Sequence, residues 1–152
     1  MKVLLEQGDV VPDKLDNDGR TPLSWTARNG YGGIVKIVLK QGDASPDTTD
    51  KDGQTSLSSA AEDWNRRIVD ILLGREDVNR ETPDQDSRTP LWWAAQNGKQ
   101  YLVKMVLERG DASSNNIASK GRPPLSWAAE FCYNDVVKVL SERENLAPQH
   151  CG

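Results

Sequence analysis

Histidine and cysteine are almost missing from this chain. Of its 152 residues one is His and two are Cys. The single histidine, His150, lies in the last three residues. No Ser/His/Asp or Cys/His relay can therefore be placed on ordered structure. Cys132 has no base beside it in the sequence and reads as a structural or free thiol. His150 and Cys151 are two adjacent groups, far short of a four-ligand metal site. Two cysteines make no disulfide framework. Long apolar runs are missing too: none approaches the roughly 18 residues of a membrane-spanning helix. Met1-Lys2-Val3-Leu4-Leu5 turns acidic too soon for a secretory leader. The chain has no Asn-x-Ser/Thr acceptor. Nor is there an excess of basic charge: the formal net charge is −4 and the pI near 5.0. That opposes general nucleic-acid binding, which needs a basic face. The expectation is a chain without catalytic residues, cofactor or metal, in a reducing, intracellular and most simply cytoplasmic setting, with neither nucleic acid nor membrane as partner.

What the chain does have is a repeat. Asp18-Gly19-Arg20-Thr21-Pro22-Leu23-Ser24-Trp25 returns as Asp52-Gly53-Gln54-Thr55-Ser56-Leu57-Ser58-Ser59. It returns again as Asp86-Ser87-Arg88-Thr89-Pro90-Leu91-Trp92-Trp93 and as Lys120-Gly121-Arg122-Pro123-Pro124-Leu125-Ser126-Trp127. The spacing is 34 residues each time, without insertion or deletion. A fixed period of this size marks a stacked array of small units.

Each unit predicts two helices. The small pairs Thr26-Ala27, Ala60-Ala61, Ala94-Ala95 and Ala128-Ala129 allow close helix approach. Apolar positions such as Ile34, Val35, Ile37, Val38 and Leu39 follow at helical spacing and give a broad buried face. Thr21 and Thr89 are suited to N-caps, with Pro22 and Pro90 at the first helical position. Gly30 and Gly98 fall between the helices, where a left-handed backbone favours glycine; Gly42 and Gly110 follow the second helix. Trp64 and Cys132 stand where glycine is wanted, and Pro123 replaces the capping threonine. The third unit is therefore expected to be best formed. Helices are expected over 22–29, 33–40, 56–63, 66–73, 90–97, 100–108, 124–131 and 134–142. Asp43 to Gly53 reads as an exposed loop or hairpin. Asp47, Asp50 and Asp52 alternate somewhat like a calcium loop but lack its bidentate Glu, so they read as solvated hairpin residues.

Thr21-Pro22-Leu23-Ser24-Trp25-Thr26-Ala27 and Thr89-Pro90-Leu91-Trp92-Trp93-Ala94-Ala95 resemble the Thr-Pro-Leu-His-x-Ala signature of ankyrin repeats. The resemblance covers nearly the whole chain and implies an all-α solenoid of stacked helix-turn-helix units with projecting loops or hairpins. The signature's His is replaced by Ser24, Ser58, Trp92 and Ser126. The wording of Pro124 to Ala129 is similar to the arrays of large fungal signalling proteins of the NACHT/NLR-like kind. Unit boundaries are expected at 16–49, 50–83, 84–117 and 118–147, after a half unit at 1–15 and before a tail at 148–152. Neither end shows a clear polar cap, so the chain reads as a slice of a longer array or as the product of a truncated gene, with self-association through uncapped ends expected.

The resemblance also implies a role: a non-catalytic module that binds another protein through loop tips and the concave face of the first helices. The alternative is a regulatory or sensor segment of a larger multidomain signalling protein. The positions implied are Asn17, Asp18, Arg20, Arg28 and Asn29 in the first unit, and Lys51, Asp52, Gln54, Glu62 and Asp63 in the second. The third supplies Gln85, Asp86, Arg88, Gln96 and Asn97; the fourth supplies Ser119, Lys120, Arg122, Glu130 and Phe131. They vary while the framework repeats. Their charge is mixed, and acidic in the second unit, which suits a protein better than nucleic acid. Trp25, Trp93 and Trp127 share one repeat position and are expected to stack between units. Trp92 is expected to be partly buried, and Trp64 to be an exposed contact.

Overall fold

The computed structural model describes residues 14–109 and 122–144. The leading half unit up to Asp13, Gly110, the tip residues Ser119 and Lys120, and the tail with His150 and Cys151 lie outside the described residues. The described residues form eight α-helices and no strand: α1 (Pro22–Arg28), α2 (Gly32–Lys40), α3 (Ser56–Glu62), α4 (Arg66–Leu73), α5 (Pro90–Gln96), α6 (Gln100–Arg109), α7 (Pro124–Glu130) and α8 (Asn134–Glu144). Every expected helix is present, with ends within two residues of expectation.

Each unit's first helix packs on its own second helix and on the first helix of the next unit, while the second helices form a parallel row behind. Small residues make this possible. Ala27, Ala60, Ala61, Ala94, Ala95 and Ala128 have essentially no exposed surface. Thr26 fits the same slot because its hydroxyl is satisfied internally, donating to the Pro22 carbonyl at 2.8 Å. Behind them one continuous core runs through Leu23, Val35, Val38, Leu57, Ile68, Leu72, Leu91, Leu102, Val106, Val136 and Leu140. This is how a repeat array is held: each helix pair is apolar on more than one side and is completed by its neighbour.

Local signals set the starts of the first helices. Thr21, Thr55 and Thr89 each accept the amide of the residue three along, at 3.1, 3.2 and 3.2 Å. One otherwise orphaned helix N–H is satisfied each time. Pro123 cannot do this, and α7 starts without a side-chain cap. The residue in the inter-helix turn has φ of +81° at Gly30, +62° at Trp64, +66° at Gly98 and +56° at Cys132. The left-handed turn is thus kept in all four units, whatever residue occupies it.

Candidate functional site

The first three loop tips are each built on an aspartate, exposed in the first unit and buried in the second and third. The Asp50 carboxylate accepts the amides of Asp52 and Gln54, both at 2.9 Å. Asp84 does the same for Asp86 at 3.0 Å and Arg88 at 2.9 Å, and Asp16 for Asp18 and Arg20 at 2.9 and 2.8 Å. Asx geometry of this kind closes a tight turn from within. Asp50 and Asp84 are buried, which corrects the expectation that the tip carboxylates are merely solvated. Asp47 is engaged as well, accepting the Asn79 amide of the next unit at 2.9 Å. The amide bonded from Arg20 holds the Asp16 carboxyl below its usual range, against a smaller opposing effect of desolvation. In the fourth unit Ala118 stands at this aspartate position.

Neighbouring tips are tied to one another. The Lys51 amide donates to the Asp18 carbonyl at 3.0 Å, and the Gln85 amide to the Asp52 carbonyl at 2.9 Å. The Gln85 side chain also donates to the Lys51 carbonyl. The tip backbones therefore form a row of fixed spacing from which Asn17, Asp18, Lys51, Asp52, Gln85 and Asp86 project as exposed side chains.

The expected binding residues on this side divide into those that serve the fold and those that are free of it. Gln54 is buried: it donates to the Glu62 carboxylate at 2.8 Å and accepts from the Ser59 hydroxyl at 3.4 Å. It is a support for Glu62 rather than a surface residue. Asn29 donates to the Trp25 carbonyl at 2.8 Å, and Asn97 to the Trp93 carbonyl at 2.9 Å, so both finish their own helices. Asn97 also reaches the Glu62 carbonyl at 3.4 Å. Arg88 bonds buried Asp84 at 2.9 Å and exposed Asp86 at 2.6 Å. Arg20 pairs with Asp18 at 3.0 Å, Arg28 with Asp63 at 3.6 Å, and Arg122 with Glu130 at 2.6 Å. Gln96 is half-buried and Phe131 exposed.

The structure brings several of these together. Arg28, Asp52, Gln54, Glu62, Gln85, Asp86 and Arg88, with Trp93, line an open groove of about 300 Å³ where the second and third units meet. Trp93, expected from its repeat position to stack between units, also stands in the groove wall. It belongs to a row that includes Trp92 and Trp127. Trp92 meets Trp93 edge-on at 5.1 Å and Trp127 at 5.6 Å, and Trp127 stacks on Phe131 at 6.2 Å. Arg88 lies 4.6 Å over Trp93, and Arg122 lies 4.8 Å over Trp127. The buried indole N–H groups of Trp92, Trp93 and Trp127 have no acceptor.

Trp25 departs from the expected ladder. It packs on Tyr31 of its own unit at 5.7 Å, because the next unit offers Ser59 at the matching position. Trp64 is exposed, as expected, and carries the Lys99 ammonium 4.0 Å above its ring. Cys132 is an exposed free thiol. Among the described residues no group of three or more His, Cys, Asp or Glu is placed to hold a metal. No described helix is long and apolar enough to cross a membrane.

Comparison with known proteins agrees with this geometry. No curated protein matches the chain. The family model described as "Ankyrin repeats (3 copies)" matches residues 1–82 and again 57–149. Arrays of this family are in general protein–protein interaction modules and typically not enzymes. Four helix pairs in register, three of them capped by threonine, tips tied in a row and a family match spanning most of the sequence agree: the chain belongs to the ankyrin-repeat family.

Proposed function

We infer that this array is a non-catalytic binding module that takes a protein partner along its loop tips and first helices. The observation that carries this reading is the groove between the second and third units, where tip residues and first-helix residues meet over a buried tryptophan. The backbone there is already bonded tip to tip, and the Asp50 and Asp84 carboxylates accept the amides of their own turns. Little ordering entropy is then lost on association, which is the advantage of a preorganised surface.

The test uses residues that the fold does not need. Asp52→Ala with Gln96→Ala alters the proposed face without touching a core contact. Lys104→Ala alters the exposed outer side of α6. A partner captured by the full chain should be lost from the first variant and kept by the second. Equal loss from both, with helical content unchanged, would reject the assignment. Arg88→Glu is unsuitable here, because it would leave buried Asp84 without its cation and unsettle the tip.

A further inference from the structure

We propose that the groove between the second and third units receives a basic segment of the partner, with an arginine or lysine side chain entering beside Glu62 and Asp52. The proposal rests on the binding-module reading above and names the chemistry of its partner.

Charge accounting within the groove leads there. Both arginines that line it are committed: Arg28 to Asp63, and Arg88 to Asp84 and Asp86. The carboxylates of Glu62 and Asp52 pair with no cation among the described residues. Glu62 is also held in position, since the buried Gln54 amide donates to it at 2.8 Å. A fixed carboxylate in a groove that has used up its own cations is a preformed acceptor for a guanidinium or ammonium. Bonds of that charge-assisted kind are the stronger class.

A second observation points to a peptide rather than a free cation. Trp93 forms the groove wall, is only 8% exposed, and its indole N–H donates to nothing. That N–H is shielded from solvent, so it is the ring wall beside polar tip residues that suits a peptide: its backbone lies along the groove while a basic side chain reaches Glu62 and Asp52. At about 300 Å³ the groove sits at the small end of ligand sites, suited to a side chain and its flanking backbone.

The experiment selects peptides from a random dodecapeptide library displayed on phage, using the full chain as bait. The expected peptides share an arginine or lysine. A synthetic copy should lose about tenfold in affinity against Glu62→Gln with Asp52→Asn. A similar loss is expected when its arginine is replaced by neutral citrulline or its lysine by acetyl-lysine. Both substitutions in the protein are isosteric, and an unchanged melting curve shows that the fold is retained. Binding should also shift the Trp93 indole N–H resonance, identified by its loss in Trp93→Phe. Peptides without a basic residue that are weakened by Gln85→Ala with Gln96→Ala would overturn the basic-segment proposal and leave the binding face standing. Peptides indifferent to all of these variants, or a selection that yields none, would overturn both.

Discussion

The second and third units solve the same backbone problem with opposite residues. In the second, the tip carries Gly53 at φ +77° and the inter-helix turn carries Trp64 at φ +62°. In the third, the tip carries Ser87 at +61° and the turn carries Gly98 at +66°. The array thus imposes its conformation on whichever residue arrives. A non-glycine residue there costs about 1–2 kcal/mol in the left-handed region, and the surrounding packing holds it. The units differ as well in what lines their first helices. α3 presents buried Ser56, Ser58 and Ser59, whereas α5 presents Pro90, Trp92 and Trp93. One unit fills these positions with hydroxyls, of which Ser58 and Ser59 are bonded, and the other with rings, on one framework.

The sharpest way to break this comparison is Gly98→Ala. Besides its positive φ, a Cβ there would lie 2.7 Å from the Tyr133 ring. We expect a loss of about 3 kcal/mol, read by denaturant unfolding. Trp64→Ala at the matching position should lose less than about 1 kcal/mol, since it keeps the conformation and gives up mainly an exposed cation–π contact. A loss at Gly98 as small as that at Trp64 would show that neither the positive φ nor the Tyr133 ring resists a Cβ there.

Next in size is the tip staple. Asp84→Ala removes a buried acceptor of two amides and the partner of Arg88, so a loss of about 2 kcal/mol is expected. Asp16→Ala, at an exposed tip, should lose clearly less. Hydrogen exchange at the Asp86 and Arg88 amides, against Asp18 and Arg20, compares the two directly.

Two substitutions should raise stability by about 0.5–1 kcal/mol each. Ser87→Gly gives the third tip the residue its φ favours. Ser56→Pro gives α3 the residue that begins α1, α5 and α7, and removes a buried hydroxyl that has no partner. Thermal melts that fall rather than rise would mean that local geometry at these two positions differs from that of the other units.

The smallest effect is acid sensitivity of the first tip. Asp16 is depressed in the folded state, so its contribution is present above the unfolded value of about 3.9 and is lost as pH falls through the lower folded value. The Asp18 and Arg20 amide resonances should move in that window and stay still in Asp16→Asn. Movement that persists in the variant would assign the titration to another group.

Legibility followed the range of the interactions. Thr21 and Thr89 could be read as caps because a cap and its amide are three residues apart. The small pairs and apolar faces could be read because one helix turn repeats them. Even the left-handed turns at Trp64 and Cys132 were legible, since the units that carry glycine there expose the demand. The tip aspartate was legible in principle too, recurring at Asp16, Asp50 and Asp84 before Ala118 breaks the series. Its burial was not, because a carboxylate that accepts two amides looks in sequence like one facing water.

The amino-acid sequence alone determined the period, the number and ends of the helices and the class of fold, since these depend on contacts within a few residues and on a pattern written four times. Tertiary structure decided which polar residues remain available. Gln54 was drawn inward to hold Glu62, Arg28 was committed to Asp63 across units, and Arg88 was tied to Asp84. Trp25 was left to pack within its own unit while Trp92, Trp93 and Trp127 joined across two. Two of these outcomes, Arg28 with Asp63 and the joining of the tryptophans, depend on a neighbour about one repeat away. Gln54 and Arg88 act within their own unit, but only its folded tip and first helix bring their partners within bonding distance. In both cases distance in space rather than residue type decides whether a charge is spent on the fold or left for a partner.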